Sequence, residues 1–192
     1  MKQITAAFIS ALAITAVPTH GNARPYFIGY EFGEMAFNNF KRFAGELGIE
    51  LDNKNTIRLA YVDVALTERH LSSNEASAVT GDNIEGDWRG LDLYYDLQLT
   101  DHVYISPSIG FHSTQYRHTV LEESTGTSSW TSGFAVSYKD NGVLGVDSAY
   151  WKFSLTFRHY FKPQETTVLG NSVVNENTFE VVPLIFVGFD VN

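Results

Sequence analysis

VYISPSIGFHSTQY, running from Val103 to Tyr116, is the stretch on which the fold turns. Val103, Ile105, Pro107, Ile109 and Phe111 take the odd positions, and Tyr104, Ser106, Ser108, Gly110, His112, Thr114 and Tyr116 take the even ones. Successive side chains of a β-strand point to opposite faces, so this run is a strand with one apolar face and one small-or-polar face. Strands of globular proteins are usually about 5–6 residues long. A tilted strand that crosses a bilayer needs about 9–11 residues, and this run has that reach.

The same alternation recurs on both sides of it. Upstream, Asp87 to Leu99 sets Arg89, Leu91, Leu93, Tyr95, Leu97 and Leu99 against Trp88, Gly90, Asp92, Tyr94, Asp96 and Gln98, and Thr100-Asp101-His102 is a tight turn into the first strand quoted. Pro25 to Met35, Arg42 to Leu51 and Thr56 to Thr67 are three earlier strands, with Asp52 to Asn55 a turn by composition. Met35, Phe40, Phe43, Ala44 and Leu47 are also spaced for an amphipathic helix. Gly45 and Gly48 weaken that helix more than they weaken a barrel strand. Within Thr56 to Thr67 the apolar set slips after Tyr61 from Ile57 and Leu59 to Val62, Val64 and Leu66, which a β-bulge would produce. A shared apolar face places Glu50 opposite Arg58 in this hairpin.

Downstream, Trp130 to Tyr138, Tyr150 to Phe161 and Thr178 to Val191 complete about eight strands. The pattern leaves the register between residues 139 and 149 open. Three polar stretches, Glu68–Gly86, Arg117–Ser129 and Lys162–Asn177, read as long loops.

Composition narrows the function classes. The 192 residues carry 13 Lys and Arg against 22 Asp and Glu, a formal charge of −9, and no basic patch of the kind that binds nucleic acid. No cysteine is present, which excludes disulfides, thiolate metal sites and a Cys nucleophile. Met1 to Ala23 reads as a secretory signal: Lys2, an apolar run from Ile4 to Val17, Pro18, and small residues at Gly21 and Ala23 before a cut. The expected division is a signal peptide over residues 1–23 and one barrel domain over residues 24–192.

Alternation does not say which face looks inward, since a soluble lipocalin-like barrel places its apolar face inside. Three features favour lipid outside. Short turns alternate with long polar loops. The apolar faces end in aromatics such as Tyr26, Tyr61, Tyr95, Trp130 and Trp151, which suit a membrane–water boundary. The polar faces hold small residues and charges of both signs, which suit a packed narrow lumen.

In its signal, strands and connections the chain resembles the small eight-stranded outer-membrane barrels, the OmpA- and OmpX-like group. The resemblance implies an all-β, up-and-down antiparallel transmembrane β-barrel in the outer membrane of a Gram-negative bacterium. It also implies a repertoire of adhesins, structural and stress barrels, narrow pores and a few lipid-modifying enzymes.

The inward charges Glu31, Glu46, Glu50, Arg58, Asp92, Asp96, His112, Lys152 and Arg158 are the foremost candidates for a site. Buried charges persist when paired, and an eight-stranded interior is just filled by side chains, so the expectation is an ion-pair plug rather than a proton or ion path. A second candidate is His70 with Ser72, and Glu85 further on. An acid orienting a His that activates a Ser is the logic of nucleophilic catalysis, and the set faintly resembles the lipid A deacylase barrels. The alternative is a polar surface loop. His112, His118 and His159 lack a metal-ligand spacing, and neither metal nor cofactor is expected. The expectation is a non-enzymatic, monomeric barrel whose partners are outer-membrane lipid and an extracellular ligand or surface met by the loops. The alternatives are a lipid-modifying enzyme and a soluble barrel that binds an apolar ligand.

Overall fold

Eight antiparallel strands close on themselves in the computed structural model, which describes residues 25–37, 42–51, 54–66, 79–81 and 83–191. In chain order the elements are β1 (Tyr26–Glu31), α1 (Gly33–Phe37), β2 (Phe43–Glu50), β3 (Thr56–Leu66), β4 (Val79–Thr80), β5 (Ile84–Gln98), β6 (Val103–His118), β7 (Ser124–Asn141), β8 (Ala149–Gln164), β9 (Thr167–Leu169), β10 (Ser172–Val174) and β11 (Asn177–Val191). The wall runs β1-β11-β8-β7-β6-β5-β3-β2, so it is an up-and-down meander closed by β1 pairing with β11. Closure leaves no free edge in the wall, which stabilises a small β protein without disulfides. The expected signal at residues 1–23 lies outside the described residues.

The strand parity follows the alternation. In β6, Ser106, Gly110 and His112 are buried in the lumen while Pro107, Ile109 and Phe111 face out. Leu91 and Leu93 on β5, Phe134 and Val136 on β7, and Ile185 and Val187 on β11 continue the outward apolar surface.

The slip in β3 is not a bulge. Its register runs without interruption from Thr56↔Asp96 to Leu66↔Gly86, and against β2 from Phe43↔Asp63 to Glu50↔Thr56. What changes is the lumen. Val62 and Val64 point inward and pack with Met35, Ala44 and Trp88, while Asp63 points outward to Arg42 and Arg89. The apolar residues change faces because the interior turns from ionic to apolar along the barrel axis.

Register also corrects the Glu50–Arg58 pairing. Arg58 lies opposite Gly48, and Glu50 lies opposite Thr56. A two-residue shift keeps every side chain on its face, so alternation alone cannot detect it. The tight turn that sets the register has Leu51 N–H donating to Asn55 O at 2.7 Å and Lys54 at φ 64°.

Three connections differ from their reading as strand or loop. The first strand stops at Glu31 and residues 33–37 form α1, which carries Met35 into the lumen. The Arg117–Ser129 stretch is mostly hairpin, because β6 and β7 stay paired up to Arg117↔Ser124. Within Lys162–Asn177, β9 and β10 form a small hairpin, and β10 also pairs with β4 to make a three-stranded sheet. The open register between residues 139 and 149 resolves into Asn141↔Tyr150 with a 3-10 turn at Val143–Gly145.

Candidate functional site: a two-layered ionic lumen

The lumen is built on inward even-numbered residues of β2, β3, β5, β6, β8 and β11. Nearest the short-turn end, Arg58 makes a bidentate contact with Asp96, from Nε at 2.8 Å and from Nη2 at 2.9 Å. Its Nη1 donates to Glu46 at 3.2 Å. Glu46 also accepts from Lys152 and, at 3.0 Å, from the Tyr150 hydroxyl. Two cations and two anions make this layer formally neutral. The Arg58 guanidinium lies 3.9 Å from the centroid of the Tyr94 ring, which supplies cation–π attraction in a buried site.

The second layer lies deeper. Arg158 Nη2 donates to Asp92 at 2.8 Å and Nη1 donates to Glu180. His112 Nε2 stands 2.9 Å from the other Asp92 oxygen, and Trp88 Nε1 stands 3.1 Å from His112 Nδ1. An indole N–H only donates, so His112 Nδ1 accepts and the ring proton sits on Nε2, facing Asp92. The imidazole is therefore neutral in this arrangement, and the second layer keeps one surplus negative charge. Tyr94 joins the layers, its hydroxyl 3.4 Å from Asp92.

Small residues make room for these groups. A Cβ on Gly110 would collide with the Asp92 carboxylate, and one on Gly90 would collide with the His112 ring. Between the layers remains a cavity of about 20 Å³, lined by Arg58, Asp92, Tyr94 and Arg158 among others. That is room for about one water molecule.

The lumen is thus narrow between two unlike ends. At the short-turn end it opens into a polar funnel of about 690 Å³, whose walls include Glu50, Lys139, Asp147 and Asp190 and whose floor is the first ionic layer. At the other end Met35, Ala44, Val62, Val64 and Trp88 form an apolar stopper. Beyond it Ile84, Tyr116, Leu169 and Val174 form a second apolar cluster under the small sheet. The two outer hairpins are stitched together there. Gly170 N–H donates to the Glu123 carboxylate at 2.9 Å, and His118 Nε2 stands 3.4 Å from Asn171 Oδ1 while its Nδ1 takes the N–H groups of Val120 and Leu121 within its own hairpin at 3.2 Å each.

Of the predicted lumen residues, Glu46, Arg58, Asp92, Asp96, His112, Lys152 and Arg158 come together in the two layers. Glu31 is buried, but its carboxylate accepts N–H groups of Gly33 at 2.9 Å and Ile185 at 3.0 Å, at the start of α1. Glu50 is exposed in the funnel. Of the hydrolase-like set, His70 and Ser72 lie outside the described residues. Glu85 is on the outer surface of the wall, bonded to Arg117 at 2.8 Å. Among the described residues no group of three His, Asp or Glu side chains is placed to hold a metal ion. Glu180 was missed, although its parity with Gly188 and Asp190 on the last strand marks it as inward. Tyr150 and Trp88 were missed as polar partners because aromatic residues in an alternating strand read first as packing.

No protein-family model matches the chain, and no curated protein matches it by sequence. Among solved structures it is similar to Ail, the attachment invasion locus protein of Yersinia pestis, at 10% identity over 87% of this chain and 94% of that one, with a TM-score of 0.41. It is also similar to the N-terminal β-barrel domain of Pseudomonas aeruginosa OprF, at 14% identity over 88% of this chain and 98% of that one, with a TM-score of 0.40. A third is a major outer membrane protein from Thermus thermophilus, at 13% identity over 88% of this chain and 100% of that one, with a TM-score of 0.43.

Proposed function

We propose that this chain is an outer-membrane β-barrel that serves as a plugged, non-enzymatic anchor for an external contact surface. The observation that carries this reading is the placement of charge and apolar surface within one band of the wall. There the ion pairs are inside and leucine, isoleucine, phenylalanine and tryptophan are outside. A soluble barrel with an apolar ligand site has the reverse arrangement.

The band has the height of a membrane. The outward apolar runs Leu91–Leu99, Val103–Phe111 and Trp130–Tyr138 each span nine residues. At roughly 3.3 Å per residue and a tilt of about 40° that is about 20 Å of height, near the ~25 Å apolar band of outer-membrane barrels. Aromatic pairs lie towards both limits: Phe111 with Trp130 at a centroid distance of 5.5 Å, and Tyr138 with Trp151 at 5.4 Å. Residues 1–23 supply the export signal, and the short-turn end faces the periplasm.

Plugging follows from the two ionic layers and the apolar stopper above them. The external role follows from the stitched hairpins, which hold Val120, Leu121 and Val168 exposed on a shared support. Cell fractionation, with gel migration before and after boiling, tests the location: recovery in the outer membrane with a heat-dependent shift is expected, and a soluble periplasmic protein would overturn it. Planar-bilayer recording tests the plug: a folded, inserted protein should be silent, and steady conductance would overturn it.

A further inference from the structure

The turn between β7 and β8 carries an apolar tip that the lumen does not use. Leu144 is 98% exposed and Val146 is 46% exposed. Leu144 has φ 55° and ψ 26°, a left-handed conformation that favours Gly or Asn, and it sits between Gly142 at φ 80° and Gly145 at φ 77°. A fully exposed leucine held in the left-handed region is an outlier twice over, in exposure and in backbone. Such backbone outliers cluster where the conformation serves a function.

The turn has two sides. Asn141, Asp147 and Ser148 line the polar funnel. This side is fastened to β11: Asn141 Nδ2 donates to Asp190 at 2.7 Å, and Asp190 N–H donates to Ser148 O at 2.8 Å. Leu144 and Val146 take no part in that lining. At the foot of the turn the wall presents Tyr138 and Trp151, and with Phe153 and Ile185 these bound an outward apolar groove. The apolar tip thus stands beyond the end of the outward apolar belt and outside the funnel, whose lining the polar side of the turn continues.

We propose that Leu144 and Val146 insert into the inner-leaflet interface of the same bilayer and fix the depth of the barrel at its periplasmic end. The proposal rests on the membrane reading above. Asp140 lies opposite Trp151, so Leu144 is four residues past the aromatic level. Fully extended, that is at most about 10 Å along the bilayer normal, and the folded turn shortens it. The headgroup region is roughly 5–7 Å thick on each side, and amphipathic segments bury their apolar face to a depth of about 5–10 Å at the headgroup–acyl boundary. Leu144 therefore falls within reach of lipid.

The native chain has no cysteine, so single-cysteine variants of the full protein can be labelled cleanly. Leu144→Cys carrying an environment-sensitive fluorophore is refolded into vesicles of phosphatidylethanolamine and phosphatidylglycerol. A blue-shifted emission is expected, quenched by a headgroup nitroxide lipid and shielded from aqueous iodide. Emission quenched by iodide and untouched by the nitroxide would overturn the inference. Leu93→Cys, at mid-band, separates this from the larger reading. If an acyl-chain nitroxide quenches Leu93→Cys while Leu144→Cys stays in water, only the anchor fails. If Leu93→Cys is also in water, the membrane reading fails and the anchor with it. Protection of Leu144→Cys that appears only as protein concentration rises would assign the tip to a second copy of the chain and would also overturn the lipid assignment.

Discussion

The two halves of this barrel solve opposite problems with one wall. In the half belted by apolar side chains, Arg58, Lys152 and Arg158 are inside with their carboxylate partners, and Leu93, Ile109 and Val136 are outside. Towards the external end, Met35, Val62, Val64 and Trp88 are inside, and Arg42, Asp63, Asp87 and Arg89 are outside. β3 and β5 pass from one half to the other without a break in register, while β11 shifts register against β8 only between Asn177 and Phe179, past the second layer. On the membrane reading proposed above, hydrocarbon outside leaves the polar groups the lumen, where they must pair. Water outside lets charges solvate on the surface and leaves the lumen for apolar packing. The change of solvent along the axis is thus written in the side chains and not in the backbone, and Trp88 stands at the crossover, its ring in the stopper and its N–H on His112.

The largest effect should come from breaking the ionic half. Arg158→Ala leaves the buried Asp92 and the half-buried Glu180 without their cation, and loss of one partner of a buried pair costs about 3–5 kcal/mol. Urea unfolding in vesicles should show that loss, and an unchanged midpoint would mean the layer is not stabilised by pairing. Next is a charge on the wrong side of the band. Leu93→Arg should cost about 2–4 kcal/mol at the bilayer midplane, whereas Arg89→Leu, beyond the apolar limit, should change the midpoint little. Equal costs for the two would erase the difference between the halves.

Trp88→Phe probes the crossover. It keeps an aromatic ring in the stopper but strips His112 Nδ1 of its donor, which should cost about 1–2 kcal/mol through one unsatisfied buried acceptor. Histidine nitrogen chemical shifts read the assignment directly: protonation at Nε2 is expected in the native protein, and protonation at Nδ1 would reverse the order of donors in this layer. The smallest effect is expected from Arg117→Ala, which removes an exposed pair with Glu85 in the external half. Its unfolding midpoint should coincide with that of the native protein, and a clear drop would make that outer surface a structural contact.

Much of this was legible from alternation. The even residues of β5 and β6 named Asp92, Asp96 and His112 as inward, and their alternation with Leu91, Leu93 and Ile109 named the outer surface. The slip in β3 was legible as a fact and illegible as a cause, because a bulge and a change of lumen chemistry leave the same trace in one strand. The unbroken register of β3 with both neighbours, and the packing of Val64 with Met35 and Trp88, separate the two. Outer hairpins written in Ser, Thr and Gly, such as residues 124–129, read as loop because their strand character comes from pairing with β6 and not from an apolar face.

By itself the sequence determined the fold class, the parity of the strands and most of the charges that share the interior, because side-chain direction in a strand has a period of two and needs no partner to be read. Tertiary structure alone decided which charges meet. Arg58 faces Glu46 and Asp96 rather than Glu50 because register is fixed by a turn, and a shift of two residues is invisible to the pattern. It likewise decided that Glu180 completes the second layer, that the outer hairpins are joined over the lumen, and that Leu144 stands clear of the protein. Each depends on segments distant in the chain being brought to the same height on a closed wall.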